Sequence, residues 1–241
     1  GKGQYISPTT FIELMKRYHC QGTSVSFNEP TLLLEYSLDI FELARDKGYY
    51  NTYVTNGYMT VPALDMLVIH GLNAMNIDIK GEPEVVKKFC AADVDMVWRN
   101  VTHAKECGMW IELTTLVIPG VNDADDGLSR MAQRIKRELG NDIPWHLSGY
   151  YPAYQFRGES YVPPTPVSTL EKARDIGMAE GLKYVYIGNV PGHSYENTYC
   201  PSCQQCLIER YGFSITRYNI SPDKRSPYCG EERPVSGAPV C

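Results

Sequence analysis

Three stretches of this chain end in side chains suited to holding a small charged molecule. Asn28 and Glu29 stand at the end of the run Ser24–Pro30, Thr55 and Asn56 at the end of a run beginning at Asn51, and Asp78 and Lys80 at the end of one beginning at Ala74. A carboxylate such as Glu29 suits an ammonium group and Lys80 suits a carboxylate, through charge-assisted hydrogen bonds. An amino-acid-like ligand would satisfy both. Thr114 lies inside a fourth such run, and His146 lies on a fifth that leads to Gly149-Tyr150-Tyr151. Gly57 permits a tight turn and close backbone approach. Singly, each has a plainer reading. Asp78 and Lys80, two apart in a strand, share a face and can pair with each other; Asn56-Gly57 is a turn signal and Glu29 can cap the next helix.

Cysteine is distributed unevenly. Cys200, Cys203, Cys206, Cys229 and Cys241 crowd the C-terminal end, whereas Cys20, Cys90 and Cys107 are scattered. In a reducing compartment such a cluster points to a metal before a disulfide. Cys90 and Cys107 read as small buried hydrophobes. His19, His70 and His103 read as surface or packing residues, and His193 sits where it can orient the tail or the site.

The elements that must position these groups follow a regular rhythm. Ser7-Pro8 supplies a capping hydroxyl and a proline for a first helix, Ser7 to Tyr18. Then come a strand ending at Glu29, a helix from Thr31 to Ala44, a strand Asn51–Thr55, a short helix Pro62–Ile69 and a strand Ala74–Ile79. A helix Val94–Cys107, a strand Met109–Ile118, a helix Asp125–Leu139 and a strand Pro144–Ser148 continue it. Ser168-Thr169-Leu170-Glu171 reads as a capping box opening a last helix, and Tyr184–Ile187 as a sixth strand. Alternating strands and helices predict an α/β fold with a parallel sheet. A full eight-fold barrel takes about 250 residues and only about 190 precede the cysteine tail, so a partial (β/α) barrel is expected. The division expected is 1–195 for the barrel and 196–241 for a small cysteine-rich unit. The first helix has no strand ahead of it, as if a βα unit had lost its β half.

Composition narrows the function. The chain has 241 residues, is 43% apolar and carries a formal charge of −5. A chain of this length and hydrophobicity buries a substantial core. The acidic balance, without a basic stripe, argues against nucleic acid and against an anionic membrane as partners. No run approaches a membrane span and no signal-peptide core is visible, so a cytoplasmic location is expected.

Taken together, SFNEPT, VTNGY, NIDIKG, LTTLVIPGVND, PWHLS, PPTP, YVYIGNVPGH and NTYCPSC resemble, in order and spacing, the radical SAM enzymes of the AmmeMemoRadiSam group, relatives of the pyruvate formate-lyase activating enzymes. The resemblance covers nearly the whole chain. It implies a partial barrel holding S-adenosylmethionine (SAM) against a [4Fe-4S] cluster, where one electron cleaves SAM to a 5′-deoxyadenosyl radical that abstracts hydrogen. By this resemblance Asn28-Glu29 meets the methionine amino group. Thr55, Asn56, Asp78 and Lys80 line the SAM carboxylate and ribose, and Thr114 and His146 face the pocket. An electron donor and a substrate, which in activating enzymes is a partner protein, are implied as partners.

Three departures qualify what the resemblance implies. The family's cluster is held by Cys-x3-Cys-x2-Cys after the first strand, and these 241 residues contain no such spacing. The missing strand and the missing cysteines are one absence, which leads us to expect an N-terminal truncation and makes the radical chemistry conditional on that segment. Tyr150-Tyr151-Pro152 stands where relatives have a Phe-His-Pro loop. Relatives also resemble a zinc ribbon with two Cys-x2-Cys knuckles. Here Cys200 and Cys203 form one, but the second reads Ser226-Pro227-Tyr228-Cys229. Serine is a poor zinc ligand, so the expected zinc set is Cys200, Cys203, Cys206 and Cys229, with Cys241 as the alternative fourth; iron in a rubredoxin-like site is the other metal weighed. Two other function classes remain: a degenerate barrel serving as a SAM-binding or scaffold protein, and a barrel enzyme using Lys80 for Schiff-base chemistry.

Overall fold

Residues 5–152, 162–233 and 235 are described by a computed structural model of the chain. Two compact units emerge, one formed by Gly1–Ile79 with Asp93–Glu112, the other by Lys80–Ala92 with Leu113–Cys241. The fold is α/β. Its main sheet has six strands in chain order, β1-β2-β3-β4-β5-β6, with strand β4 divided between the units.

In the first unit, helix α1 (Pro8–Arg17) begins as its sequence dictates: Ser7 Oγ accepts from the Thr10 amide at 3.2 Å, with Pro8 in the first turn. Strand β1 is Gly22–Val25, shorter than the expected Ser24–Pro30 run, and the chain leaves the sheet before reaching Asn28. A 3₁₀ turn, Pro30–Leu33, precedes α2 (Leu34–Arg45). Strand β2 (Tyr50–Thr55), α3 (Val61–Ile69) and β3 (Ala74–Asp78) follow, and α5 (Val94–Glu106) leads into β4 (Trp110–Val117). The pairs β1–β2 and β2–β3 are parallel. Period-2 burial sets the two faces of β3. Met75 and Ile77 are buried, whereas Asn76 and Asp78 are half-buried. Phe41, Leu64 and Leu67 are fully buried as well, each such side chain contributing about 1.5–3 kcal/mol.

Asn51 fastens this unit from inside. Its Oδ1 accepts from the Thr23 hydroxyl at 2.9 Å, and its Nδ2 donates to the carbonyls of Phe41 and Gly71 at 3.0 and 2.9 Å. Every polar atom of this buried amide is satisfied, as burial demands.

The second unit begins with α4 (Pro83–Cys90), an element the helix spacing alone did not single out. It continues with the rest of β4, α6 (Asp125–Leu139), β5 (Trp145–Gly149), α7 (Val167–Ala179) and β6 (Val185–Gly188). Strands β4, β5 and β6 pair in parallel. Helix α6 buries Leu128, Met131, Ala132, Ile135 and Leu139, the spacing of one helical face. Helix α7 starts at Val167 after Pro166 with no side-chain cap, so Ser168 does not open it as expected.

The cysteine-rich end forms an antiparallel sheet of β7 (Thr198–Tyr199), β8 (Cys206–Tyr211) and β9 (Ser214–Tyr218). It has its own core of Cys200, Leu207, Ile208 and Ile220. Cys90 and Cys107, expected to be buried, are exposed, because each falls at the solvent-side end of its helix rather than on the packed face. No helix among the described residues is long and apolar enough to cross a membrane.

Candidate functional site

Glu29 is the hub of the strand ends in the first unit. Its Oε1 accepts from the Thr55 hydroxyl at 2.6 Å, the Thr31 hydroxyl at 2.6 Å and the Thr31 amide at 3.1 Å. Among the described residues Oε2 accepts only the Asn56 amide, at 2.9 Å. Two carboxylate oxygens offer about four lone-pair directions. Oε1 is saturated, and Oε2 keeps one acceptor direction for a cation. The capping reading of Glu29 is borne out through Oε1, which accepts from the Thr31 amide at the start of the 3₁₀ turn. Thr31, which closes the cap, went unnoticed among the sequence candidates, although its place two residues after the acid is a capping signal.

The backbone around Glu29 is held in place by neighbours. Thr55 Oγ1 also accepts from the Gly57 amide at 3.1 Å, and buried Asn100 donates to the carbonyls of Gly57 and Met59, both at 2.8 Å. Gly57 has φ +69°, and a Cβ there would lie 2.8 Å from Ile77 Cγ2. Only glycine fits both constraints. Ahead of Glu29, Phe27 (φ 67°) and Asn28 (φ 51°) are both left-handed, and Phe27 is 91% exposed. Left-handed backbone costs about 1–2 kcal/mol per ordinary residue. Such cost concentrated beside a polar hub is characteristic of a ligand-facing segment. Asn28 is exposed, Asn56 is half-buried and Asp78 is half-buried at the end of β3.

In the second unit Lys80 is exposed, and its carbonyl accepts from Asn122 Nδ2 at 2.9 Å. Asn122 also donates to the Leu116 carbonyl and accepts from the Ile118 amide. This one amide thus ties Lys80 to the end of β4. Thr114 and His146 are register partners on β4 and β5, and His146 faces Tyr186 on β6. The His146 and Tyr186 rings stack at 5.1 Å and 18°. Tyr186 in turn hydrogen-bonds with Thr198 at 3.0 Å, and Arg210 donates to Thr198 at 2.8 Å, so the half-buried row runs into the tail sheet. Tyr186 was missed as a candidate, though period-2 alternation in the sixth strand places it beside His146. His193 joins the junction to α7: its Nε2 is 3.2 Å from Glu171 Oε1.

In the tail the sulfurs of Cys200, Cys203 and Cys229 all lie within 4.8 Å of one another. Cys200 and Cys229 are 3.6 Å apart, and Cys203 Sγ is 3.9 Å from Ser226 Oγ. Tetrahedral zinc at about 2.3 Å from each sulfur sets S–S separations near 3.8 Å. Cys206 is not in the group; its Sγ donates to the Ile208 carbonyl at 3.7 Å, because β8 carries it along the sheet. Cys241 lies outside the described residues. The Ser226 hydroxyl, followed by the Glu231 backbone, pulls Cys229 down to about 7. Cys203 is raised: the Gln205 backbone acts downward, and burial with the shared hydrogen bonds to Cys200 and Cys229 outweighs it. Buried Arg233 adds positive charge toward Cys200 and donates to Tyr184 Oη at 3.4 Å.

A family model of the radical SAM superfamily matches residues 1–132. The uncharacterized protein MJ0808 of Methanocaldococcus jannaschii is 43% identical over 228 residues, covering 94% of this chain and 67% of its own length. From the same organism, the putative glycyl-radical enzyme activating enzyme MJ1632 is 26% identical over 145 residues, 58% of this chain and 53% of its own. A domain of a pyruvate-formate lyase-activating enzyme from Bacteroides vulgatus matches in structure with a TM-score of 0.59 at 18% identity, over 70% of this chain and 99% of that one.

Proposed function

This chain belongs to the radical SAM superfamily, and from that premise we propose that Glu29 and its neighbours hold the methionine end of S-adenosylmethionine. The superfamily brings SAM-dependent radical chemistry as a class. The observation that carries the assignment is the free acceptor direction on Glu29 Oε2, beside the Asn56 amide and steadied by Thr31 and Thr55.

Each residue has a task in this reading. Glu29 takes the SAM ammonium, a charge-assisted bond stronger than a neutral one. Asn28 and Asn56 present amides to the same end. Asp78 receives a ribose hydroxyl. One-electron cleavage of SAM is the work of a [4Fe-4S] cluster, and the cysteines of these 241 residues do not supply its Cys-x3-Cys-x2-Cys ligand set. In this reading the residues of this chain bind SAM, and cleavage with hydrogen abstraction would draw on a cluster-binding segment and an electron donor. Resemblance to the pyruvate formate-lyase activating enzymes leaves a partner protein as one class of substrate.

In the tail, Cys200, Cys203 and Cys229 hold one zinc ion, with the fourth position at the Ser226 side or filled by Cys241. The sulfur spacing and the Arg233 charge toward Cys200 support a single thiolate-bound ion.

Calorimetric titration of the chain with SAM tests the first assignment. Binding by the wild type is expected, with an affinity loss of about tenfold or more in Glu29→Gln, as removal of a charged hydrogen-bond partner costs about 1.5–3 kcal/mol. Absence of SAM binding, or equal affinity in Glu29→Gln, would overturn it.

A further inference from the structure

We propose a second metal site, on the surface formed by α3 and α5, in which Asp65, His103 and Cys107 bind one divalent ion of the zinc and cobalt class. His103 and Cys107 are four apart at the C-terminal end of α5 and so share a face; Asp65 comes from α3. Their donor atoms all lie within 4.8 Å of one another. His103 Nε2 is 2.6 Å from Asp65 Oδ1 and 3.9 Å from Cys107 Sγ. One ring nitrogen thus faces both the acid and the thiol. A nucleophile relay would engage opposite nitrogens of the ring, so the cluster is not built as a catalytic triad.

An ion fits the same geometry with small adjustments. Tetrahedral zinc with oxygen, nitrogen and sulfur ligands sets donor separations of about 3.4–3.6 Å. The Asp65–His103 distance opens and the Cys107–His103 distance closes, both by rotation of accessible side chains; His103 and Asp65 side chains are 31% and 45% exposed and Cys107 is exposed. A mixed donor set of one carboxylate, one imidazole and one thiolate suits zinc or cobalt and not calcium or magnesium, which take oxygen. The carbonyl end of α5 carries partial negative charge, which favours a cation there. Binding releases the Cys107 thiol proton, engages neutral His103 through Nε2 and involves no redox change. Water completes the fourth position.

The test loads the full chain with one equivalent of Zn²⁺, which fills the tail thiolates, and then titrates Co²⁺ by absorption spectroscopy. One further equivalent is expected, with a thiolate-to-cobalt charge-transfer band. Cys107→Ser and His103→Gln should each abolish that band, and Asp65→Asn should weaken binding by at least about tenfold. All three variants should keep their tail zinc by native mass spectrometry and melt with the wild type in EDTA. No second equivalent in the wild type, or a band that survives Cys107→Ser and His103→Gln, overturns the site. Neither result depends on whether SAM binds.

Discussion

The Thr55 hydroxyl lies 2.6 Å from Glu29 Oε1, and this contact joins the end of β2 to the loop that leaves β1. Thr55 is buried and Glu29 is half-buried, so the hydroxyl fixes Oε1 while Oε2 accepts from the Asn56 amide. If Glu29 takes the SAM ammonium as proposed, the carboxylate is aimed before the ligand arrives, which lowers the ordering cost of binding.

Thr55→Val separates aiming from charge. The isostere removes one hydroxyl from Oε1 and leaves the Thr31 donors in place. Stability is expected to fall by about 2 kcal/mol, because the Thr55 hydroxyl donates to Glu29 and also accepts from the Gly57 amide, two hydrogen bonds worth about 1 kcal/mol each. SAM affinity is expected to fall several-fold, less than in Glu29→Gln, when both variants are compared by calorimetry and urea unfolding. Equal losses in the two variants would mean that the carboxylate charge contributes nothing beyond its support.

Gly57→Ala attacks the same site through the backbone. It places a methyl 2.8 Å from Ile77 Cγ2 and 3.0 Å from Val97 Cγ1, at φ +69°. Overpacking and the left-handed penalty together cost about 2–4 kcal/mol. The expected outcome is a clear drop in melting temperature, with loss of SAM binding because Asn56 leads directly into this turn. An unchanged melt would show that the turn relaxes more easily than its packing indicates.

Much of this arrangement was legible in sequence because it rests on local rules. Ser7-Pro8 opened a helix, and alternation in β3 separated Met75 and Ile77 from Asn76 and Asp78. What was not legible depends on contacts distant in the chain. Asn100 supports Gly57 from 43 residues away, and Thr31 reads as an ordinary helix-start residue until Glu29 turns back on it. Cys107 looked like a core residue by type, yet its position as the C-cap of α5 exposes it beside His103. Cys206 has the right spacing for a ligand, but the pairing of β8 with β7 and β9 directs its sulfur to the Ile208 carbonyl instead.

The tail site yields a gain-of-function prediction. Ser226 is buried, with its hydroxyl 3.9 Å from Cys203 Sγ. Ser226→Cys therefore brings a fourth thiolate to the group with little change in volume. Zinc should then be held more tightly, and cobalt substitution should give the spectrum of four sulfur ligands. Cys229→Ser should lose the ion, whereas Cys206→Ser should retain it. Retention of zinc in Cys229→Ser would remove this cysteine from the ligand set.

The same group predicts a pH signature in the metal-free protein. The Ser226 hydroxyl is the largest cause of the lowering of Cys229 to about 7, whereas Cys203 is raised. Because the folded state favours the Cys229 thiolate, its contribution to stability is present at alkaline pH and is lost as the pH falls through about 7. Cys229 should also ionise before Cys203. Alkylation with iodoacetamide in EDTA, followed site by site by mass spectrometry, should show a Cys229 rate rising with a midpoint near pH 7 and a Cys203 rate rising only at distinctly higher pH. Ser226→Ala removes the hydroxyl donor, so the Cys229 midpoint should move upward toward that of an ordinary thiol. A midpoint unmoved by Ser226→Ala would show that the hydroxyl does not stabilise this thiolate, and that the serine contributes to the tail by packing alone.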